Sequence, residues 1–331
     1  MSWLLTLLVL LIFAGLLYLF KQPKNFTVKR CINTQQPTDV AFNKIRDLPS
    51  WKDWSPWLMH EPDANLNYSE GPKEIGGHYS WKGEMIGEGT LTHVAFSAPT
   101  QIQQKIEFLK PFKSKADITW DFTENENGCE ICWSMQSKLP FFFRFLTAKM
   151  TATIGNDYEL GLAMLKGKLE QSSSHPNIIF DGITTLEDQR GLHRRFSGDI
   201  EQMKQSLSGL FSEMMEEIKQ ENLTAEDFPV TIYHQSKPKV NPTWFEVDAF
   251  VPISDGPQER TAKLPGGKYF KVTLLGEYEF LKLAWHSAFA NLQMKGYKFD
   301  WPRVPFEAYE NYPTEVDHPN QIKTTIYIPV K

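Results

Sequence analysis
The chain has 331 residues, 41% of them hydrophobic and 13% aromatic, with a formal net charge of −5 and a pI near 6.0. That is enough apolar material for two cores of ordinary domain size. A general nucleic-acid binder needs a basic stripe to neutralise phosphates, and with neither such a balance nor a helix-turn-helix pattern, no direct nucleic-acid binding is expected.

The first predicted element is an apolar run from Trp3 to Phe20, broken only by Thr6, Gly15 and the amphipathic Tyr18. At helical rise it extends roughly 27 Å, close to the hydrocarbon thickness of a bilayer. No Lys or Arg precedes the run, and it ends in Tyr18-Leu-Phe-Lys-Gln-Pro rather than in the small residues of a cleavage site. Residues 1–22 therefore read as an uncleaved transmembrane anchor. Lys21, Lys24, Lys29 and Arg30 all follow it, which by the positive-inside rule predicts a single-pass protein of the inner membrane with its domains in the cytoplasm.

Residues 23–170 read as one domain. Phe26 to Ile32 alternates as a strand, Asp39 to Asp47 is a short helix, and Trp51, Trp54 and Trp57 follow in Trp-Lys-Asp-Trp-Ser-Pro-Trp. Strands are predicted at 77–81, 89–98, 102–109, 116–122 and 130–135, with turn residues between them, and a long helix ends near Glu170. The tryptophan cluster, the run Tyr79-Ser-Trp-Lys-Gly83 and the closing Gly161-Leu-Ala-Met-Leu-Lys166 resemble the START-like (SRPBCC) superfamily, which includes polyketide cyclases and lipid-transfer proteins. The resemblance implies a helix-grip fold, with a sheet wrapped around the last helix and an apolar cavity between them. Trp54, Trp57 and Trp81 are then candidate ligand-binding residues. The run Leu139-Pro-Phe-Phe-Phe-Arg-Phe-Leu146 is read either as a cover for that cavity or a contact with the membrane, or as ordinary loop packing.

Gln171 to Pro176, rich in serine, reads as a linker to a second domain at 177–331. That domain repeats one pattern of helix, strand, strand. The helix at 200–219 leads to strands at 230–234 and 245–253, and the helix at 280–294 leads to strands at 306–310 and 323–330. Both repeats close in an alternating strand that ends at a proline, which has no N–H to give a ladder. With a strand before each helix, at 191–196 and 268–275, the predicted fold is α+β: a pseudo-symmetric antiparallel sheet, two main helices on one face, and the other face free to curve around a guest.

Gly267-Lys-Tyr269, Gly276-Glu-Tyr278, Ala284-Trp285, Pro305-Phe-Glu-Ala-Tyr309 and Ile326-Tyr-Ile-Pro-Val330 resemble the GyrI-like domain, the effector-binding module of AraC-type and BmrR-type bacterial regulators. The family often carries an acid before the closing run, where this chain has Thr325, so Glu307 is the remaining acidic pocket candidate. Residues two apart on a strand share a face, which puts Tyr309 beside Glu307. Tyr269, Tyr278, Trp285 and Tyr327 are the rings expected around them, able to hold a cationic aromatic guest.

The remaining chemistry is sparse. Cys129-Glu-Ile-Cys132 has redox spacing, but positions i and i+3 of a strand point to opposite faces, so structural thiols are expected. Eight scattered histidines and no H-E-x-x-H give no metal site, and no cofactor is expected. The function read from these features is a membrane-anchored binder of hydrophobic or amphipathic small molecules. Two alternatives stand beside it: a hydrolase or cyclase acting on such molecules, and a protein-interaction module of the kind some GyrI-like relatives direct at gyrase. The absence of a catalytic constellation favours the binder.

Overall fold
The structure is a computed structural model and describes residues 2–172, 174–237, 242–254, 256 and 260–331. It divides into two compact units, 1–172 and 173–331.

The first unit opens with α1 (Ser2–Lys21), long and apolar enough to cross a membrane and with none of that apolar window buried against the protein. β1 (Asn25–Thr34), α2 (Thr38–Arg46) and a 3-10 turn (Leu48–Asp53) follow. Then come β2 (Asn65–Tyr68), β3 (His78–Lys82), β4 (Glu88–Ser97), β5 (Gln101–Lys110), β6 (Ser114–Asn125) and β7 (Gly128–Lys138). A second 3-10 turn (Phe141–Leu146) runs into the 24-residue α3 (Thr147–Glu170).

The strands form one antiparallel sheet in the order β1-β7-β6-β5-β4-β3-β2. Its inner face follows from alternation: Ala116, Ile118, Trp120 and Phe122 of β6 are buried at every second position. α3 turns Tyr158, Leu162, Leu165 and Leu169 inward at helical spacing.

Between sheet and helix lie rings. Trp120 stacks on Trp133 at 4.3 Å, and Trp133 stacks on Tyr158 of α3 at 3.8 Å. Trp51 and Trp54 meet Trp120 and Trp133 edge-on, and Trp57 contacts Trp133 and Tyr158. Each such pair adds about 0.5–1.5 kcal/mol beyond area burial. Among the three candidate ligand contacts of this unit, Trp54 and Trp81 are buried in the core cluster, and Trp57 packs against it while donating to Asp157 at 3.2 Å. Of the tryptophans expected to line a cavity, Trp54 and Trp57 therefore pack against Trp51, Trp120, Trp133 and Tyr158, and Trp81 against Tyr79 and Phe108, because bulky rings project from the 3-10 turn, the sheet and the helix into the same layer.

The cysteine expectation is corrected in part. Cys31 and Cys132 are direct cross-strand partners on β1 and β7 and form a disulfide, while Cys129 is a free, buried thiol. Cys129 and Cys132 do not pair with each other, and a third neighbour, Glu130, gathers near a Cys31–Cys132 couple whose sulfurs are already joined.

The second unit contains β8 (Asn177–Leu186), β9 (Gln189–Asp199), α4 (Ile200–Gln220), β10 (Val230–Lys237), β11 (Trp244–Pro252) and β12 (Thr261–Leu264). It continues with β13 (Gly267–Leu275), α5 (Leu281–Met294), β14 (Phe306–Tyr309) and β15 (Lys323–Pro329). The sheet order β12-β9-β11-β10-β14-β15-β13-β8 is symmetric about the β10/β14 junction.

Each repeat is longer than the alternation suggests. It begins with an extra strand, β8 or β12, that pairs with the other repeat: β8 lies on β13 and β12 on β9. β8 escaped the pattern as an edge strand whose Ile179 and Ile183 are left exposed, and β12 is only four residues long. α4 starts on a capping box, in which Asp199 accepts from the backbone N–H of Glu201 and Gln202 and Gln202 reaches back to Asp199 N–H. α4 packs on β9 and β11, and α5 on β13 and β8.

Candidate functional site
Strand alternation decides what surrounds Glu307. β14 sits between β10 and β15, with Glu307 opposite Thr231 and Ile326 and with Phe306 opposite Ile232 and Tyr327. Glu307 and Tyr309 therefore share one face, while Phe306 and Tyr327 share the other. The first face carries the helices: Tyr309 meets Phe211 of α4 edge-on, and Trp285 of α5 donates its indole N–H to Glu307.

Glu307 is 1% exposed. Besides Trp285, the Tyr309 hydroxyl donates to it at 2.8 Å, and the Tyr233 hydroxyl also hydrogen-bonds to it. Thr231 in turn donates to the Tyr309 oxygen at 2.8 Å. Burial raises the Glu307 carboxyl above the ordinary glutamate value, and the three donors offset only part of that rise. Rings close the surroundings: Tyr233 lies edge-on to Trp285 and Phe245, Trp285 stacks on the exposed Phe289, and Tyr278 meets Tyr309. Directly across from Tyr309, the buried Thr324 hydroxyl has no hydrogen-bond partner among the described residues.

The structure thus brings Glu307, Tyr309, Trp285 and Tyr278 together, on the side of the sheet that bears the helices. The reading of a free face opposite the helices as the place for these residues is corrected. Tyr269 and Tyr327 are placed elsewhere, packed with Phe306 on the far face, where Arg303 lies over the Tyr269 ring at 4.9 Å. Register across the ladder separates the two sets: Tyr327 is opposite Phe306, one residue out of step with Glu307. Sequence reasoning missed Tyr233 and Thr231. Their signal was the alternation in Val230-Thr-Ile-Tyr, which turns both toward the helices once β10 is laid beside β14. Thr325, standing where an acid is often found, donates to Glu310 and lies on the far face with Ala308.

The far face also holds a charged cluster unrelated to Glu307. Asp248 is 4% exposed, accepts from His234 Nε2 at 2.8 Å and from Arg195 Nη2 at 3.1 Å, and Arg195 also binds Glu246. Burial alone would raise the Asp248 carboxyl, but bonding and charge from His234 and Arg195 outweigh it and hold the pKa at about 2. A depressed folded pKa contributes stability that is complete above the unfolded value and lost as pH falls through the folded one. The second unit is accordingly expected to lose roughly 2 kcal/mol between about pH 4 and pH 2, and Asp248→Asn to flatten that limb in denaturant titrations repeated across pH.

No curated protein matches the chain. Among solved structures, the EcmrR C-terminal domain is 16% identical over 47% of this chain and 98% of its own, with a TM-score of 0.37. Protein MLL2253 from Mesorhizobium loti is 11% identical over 44% and 98%, with a TM-score of 0.35. SA2116 from Staphylococcus aureus is 10% identical over 46% and 97%, with a TM-score of 0.36. Likeness at this level bears on none of the residues above. The family comparison is more specific: by its match over residues 183–331, the second unit is a GyrI-like small molecule binding domain.

Proposed function
We propose that the protein is a membrane-anchored binder that senses or sequesters hydrophobic or amphipathic small molecules, cationic aromatic ones above all, at Glu307. The observation that carries this reading is a buried carboxylate ringed by Trp285, Tyr309 and Tyr233 on the helix-bearing face of a small-molecule-binding domain. An organic cation supplies the countercharge that this desolvated carboxylate lacks, and the rings add cation–π attraction. The Thr324 hydroxyl, unpartnered among the described residues, offers a further polar contact. α1 supplies the anchor, and the first unit, a sheet closed by a long helix, is read as START-like.

A second reading rests on the raised Glu307 carboxyl with a tyrosine hydroxyl 2.8 Å away, a pair able to move a proton to or from water in a hydrolysis. Native mass spectrometry of the detergent-purified chain, followed by melting with the copurified compound added back, tests the binder. A ligand that raises the melting temperature by mass action supports it. A panel of organic cations and neutral aromatics that leaves melting unchanged, with nothing copurified, would remove it.

A further inference from the structure
Three stretches of the first unit contain no acidic residue: 1–38, 108–116 and 138–156. The strand register gathers them. Asn25 pairs with Lys138, Ala116 with Ser137, and Phe108 with Ser114, so the start of β1, the end of β7 and the β5–β6 turn lie at one end of the sheet, the end that α1 enters. There the 3-10 turn Phe141–Leu146 buries none of its side chains. Phe142 is 69% exposed, and Phe112 of the β5–β6 turn, 70% exposed, reaches Phe143 with ring centroids 6.0 Å apart. Soluble surfaces rarely cluster exposed rings in this way.

The turn also touches α1. Phe145 lines one shallow groove together with Ile12, Gly15, Leu16 and Leu19 of the helix. Lys21 marks the polar end of that helix, and at 1.5 Å per residue these four positions lie about 3–14 Å before it. A half-bilayer of hydrocarbon is only about 15 Å deep. A side chain packed against those positions shares their depth. Arg144 lies over the Phe141 ring, Lys113 follows Phe112 in the β5–β6 turn, Lys149 lies in the first turn of α3, and no carboxylate in their own stretches opposes them; Lys110 is held by Glu88 at 2.7 Å.

We infer that the Phe141–Leu146 turn and Phe112 form a membrane wedge: an aromatic surface that enters the headgroup and acyl boundary beside α1, flanked by cations that favour anionic lipid. The inference rests on α1 being a membrane anchor. Rings of this kind settle about 5–10 Å into that boundary, and the wedge fixes one end of the sheet against the lipid instead of leaving the unit on a free tether.

The test uses the full chain reconstituted in vesicles of phosphatidylcholine and phosphatidylglycerol. An environment-sensitive fluorophore is placed singly through Ile12→Cys, Phe142→Cys or Glu126→Cys, the last at the opposite end of the sheet. The label at 12 is expected to lose emission to lipids spin-labelled deep in the acyl chain, the label at 142 to lipids spin-labelled near the headgroup, and the label at 126 only to aqueous iodide. Deep quenching at 12 with iodide quenching at 142 equal to that at 126 overturns the wedge and leaves the anchor standing. Shallow quenching at 142 without deep quenching at 12 removes the anchor and keeps the lipid contact. If neither position responds to lipid spin labels, both readings fall.

Discussion
Glu307→Gln is expected to weaken binding of cationic aromatic ligands by roughly ten- to a hundredfold, the equivalent of about 1.5–3 kcal/mol for a charge-assisted contact in a desolvated site. Neutral analogues of the same shape should bind nearly as before. The ligand-free protein should respond in the opposite sense. Because burial raises the Glu307 carboxyl, the folded state takes up a proton more readily than the unfolded chain, and stability falls as pH rises from the unfolded value through the folded one. Removing the ionisable group removes that loss, so the unliganded Gln variant should melt no lower than the parent at neutral pH. Tyr309→Phe keeps the ring against Phe211 and deletes one donor, a loss of about 0.5–1.5 kcal/mol. Calorimetric titration with paired cationic and neutral ligands reads these effects. If both substitutions abolish a turnover while affinity stays constant, Glu307 and Tyr309 are a hydrolytic pair; if charge makes no difference to binding in parent or variant and there is no turnover, the site assignment fails.

The second large effect belongs to the disulfide. Cys31 and Cys132 are separated by 101 residues, and constraining an unfolded loop of that length is worth about 4.7 kcal/mol in the chain-entropy account, with about 2–5 kcal/mol usual when a native bridge is lost. Replacing both with alanine should therefore lower the denaturant midpoint of the first unit and leave the second unchanged. Dithiothreitol should reproduce the shift in the parent and do nothing to the variant. A bridge of this kind persists where thiols are not kept reduced, which runs against the cytoplasmic orientation drawn from Lys21 and Lys24. Our expectation is that the domains lie on the oxidising side. Alkaline phosphatase fused after Lys331 should then be active, and the two thiols should resist alkylation in intact cells. An inactive fusion with freely alkylated Cys31 restores the cytoplasmic orientation.

Much of this architecture was legible in the chain, and the exceptions have physical causes. A strand with one buried face, such as β6, announces itself by period two. β8 does not, since an edge strand can leave Ile179 and Ile183 in solvent. Glu307 and Tyr309 were set side by side because they lie two apart on one strand. Tyr269 and Tyr327 were grouped with them wrongly, because which face a strand presents depends on register with its neighbours, and register is a tertiary property. Tyr233 entered the site for the same reason. The Cys31–Cys132 pair joins strands that are distant in sequence and adjacent in the sheet, and without that register the cysteines read only as structural thiols.

The stacked rings of the first unit have an optical consequence. Trp120, Trp133 and Tyr158 lie nearly parallel and within van der Waals reach, and Trp51 and Trp54 stand almost perpendicular to them. Transition dipoles held this close and at fixed angles couple, so the absorption of one ring is shared with its neighbours and split into bands of opposite circular dichroism. Trp244, Trp285 and Trp301 of the second unit stand outside this stack. Since Tyr158 rides on α3 and the two tryptophans on the sheet, slippage between helix and sheet would weaken the contribution of Tyr158 to these bands before any secondary structure is lost. The first unit thus carries its own gauge of how tightly its long helix is seated, readable without a label.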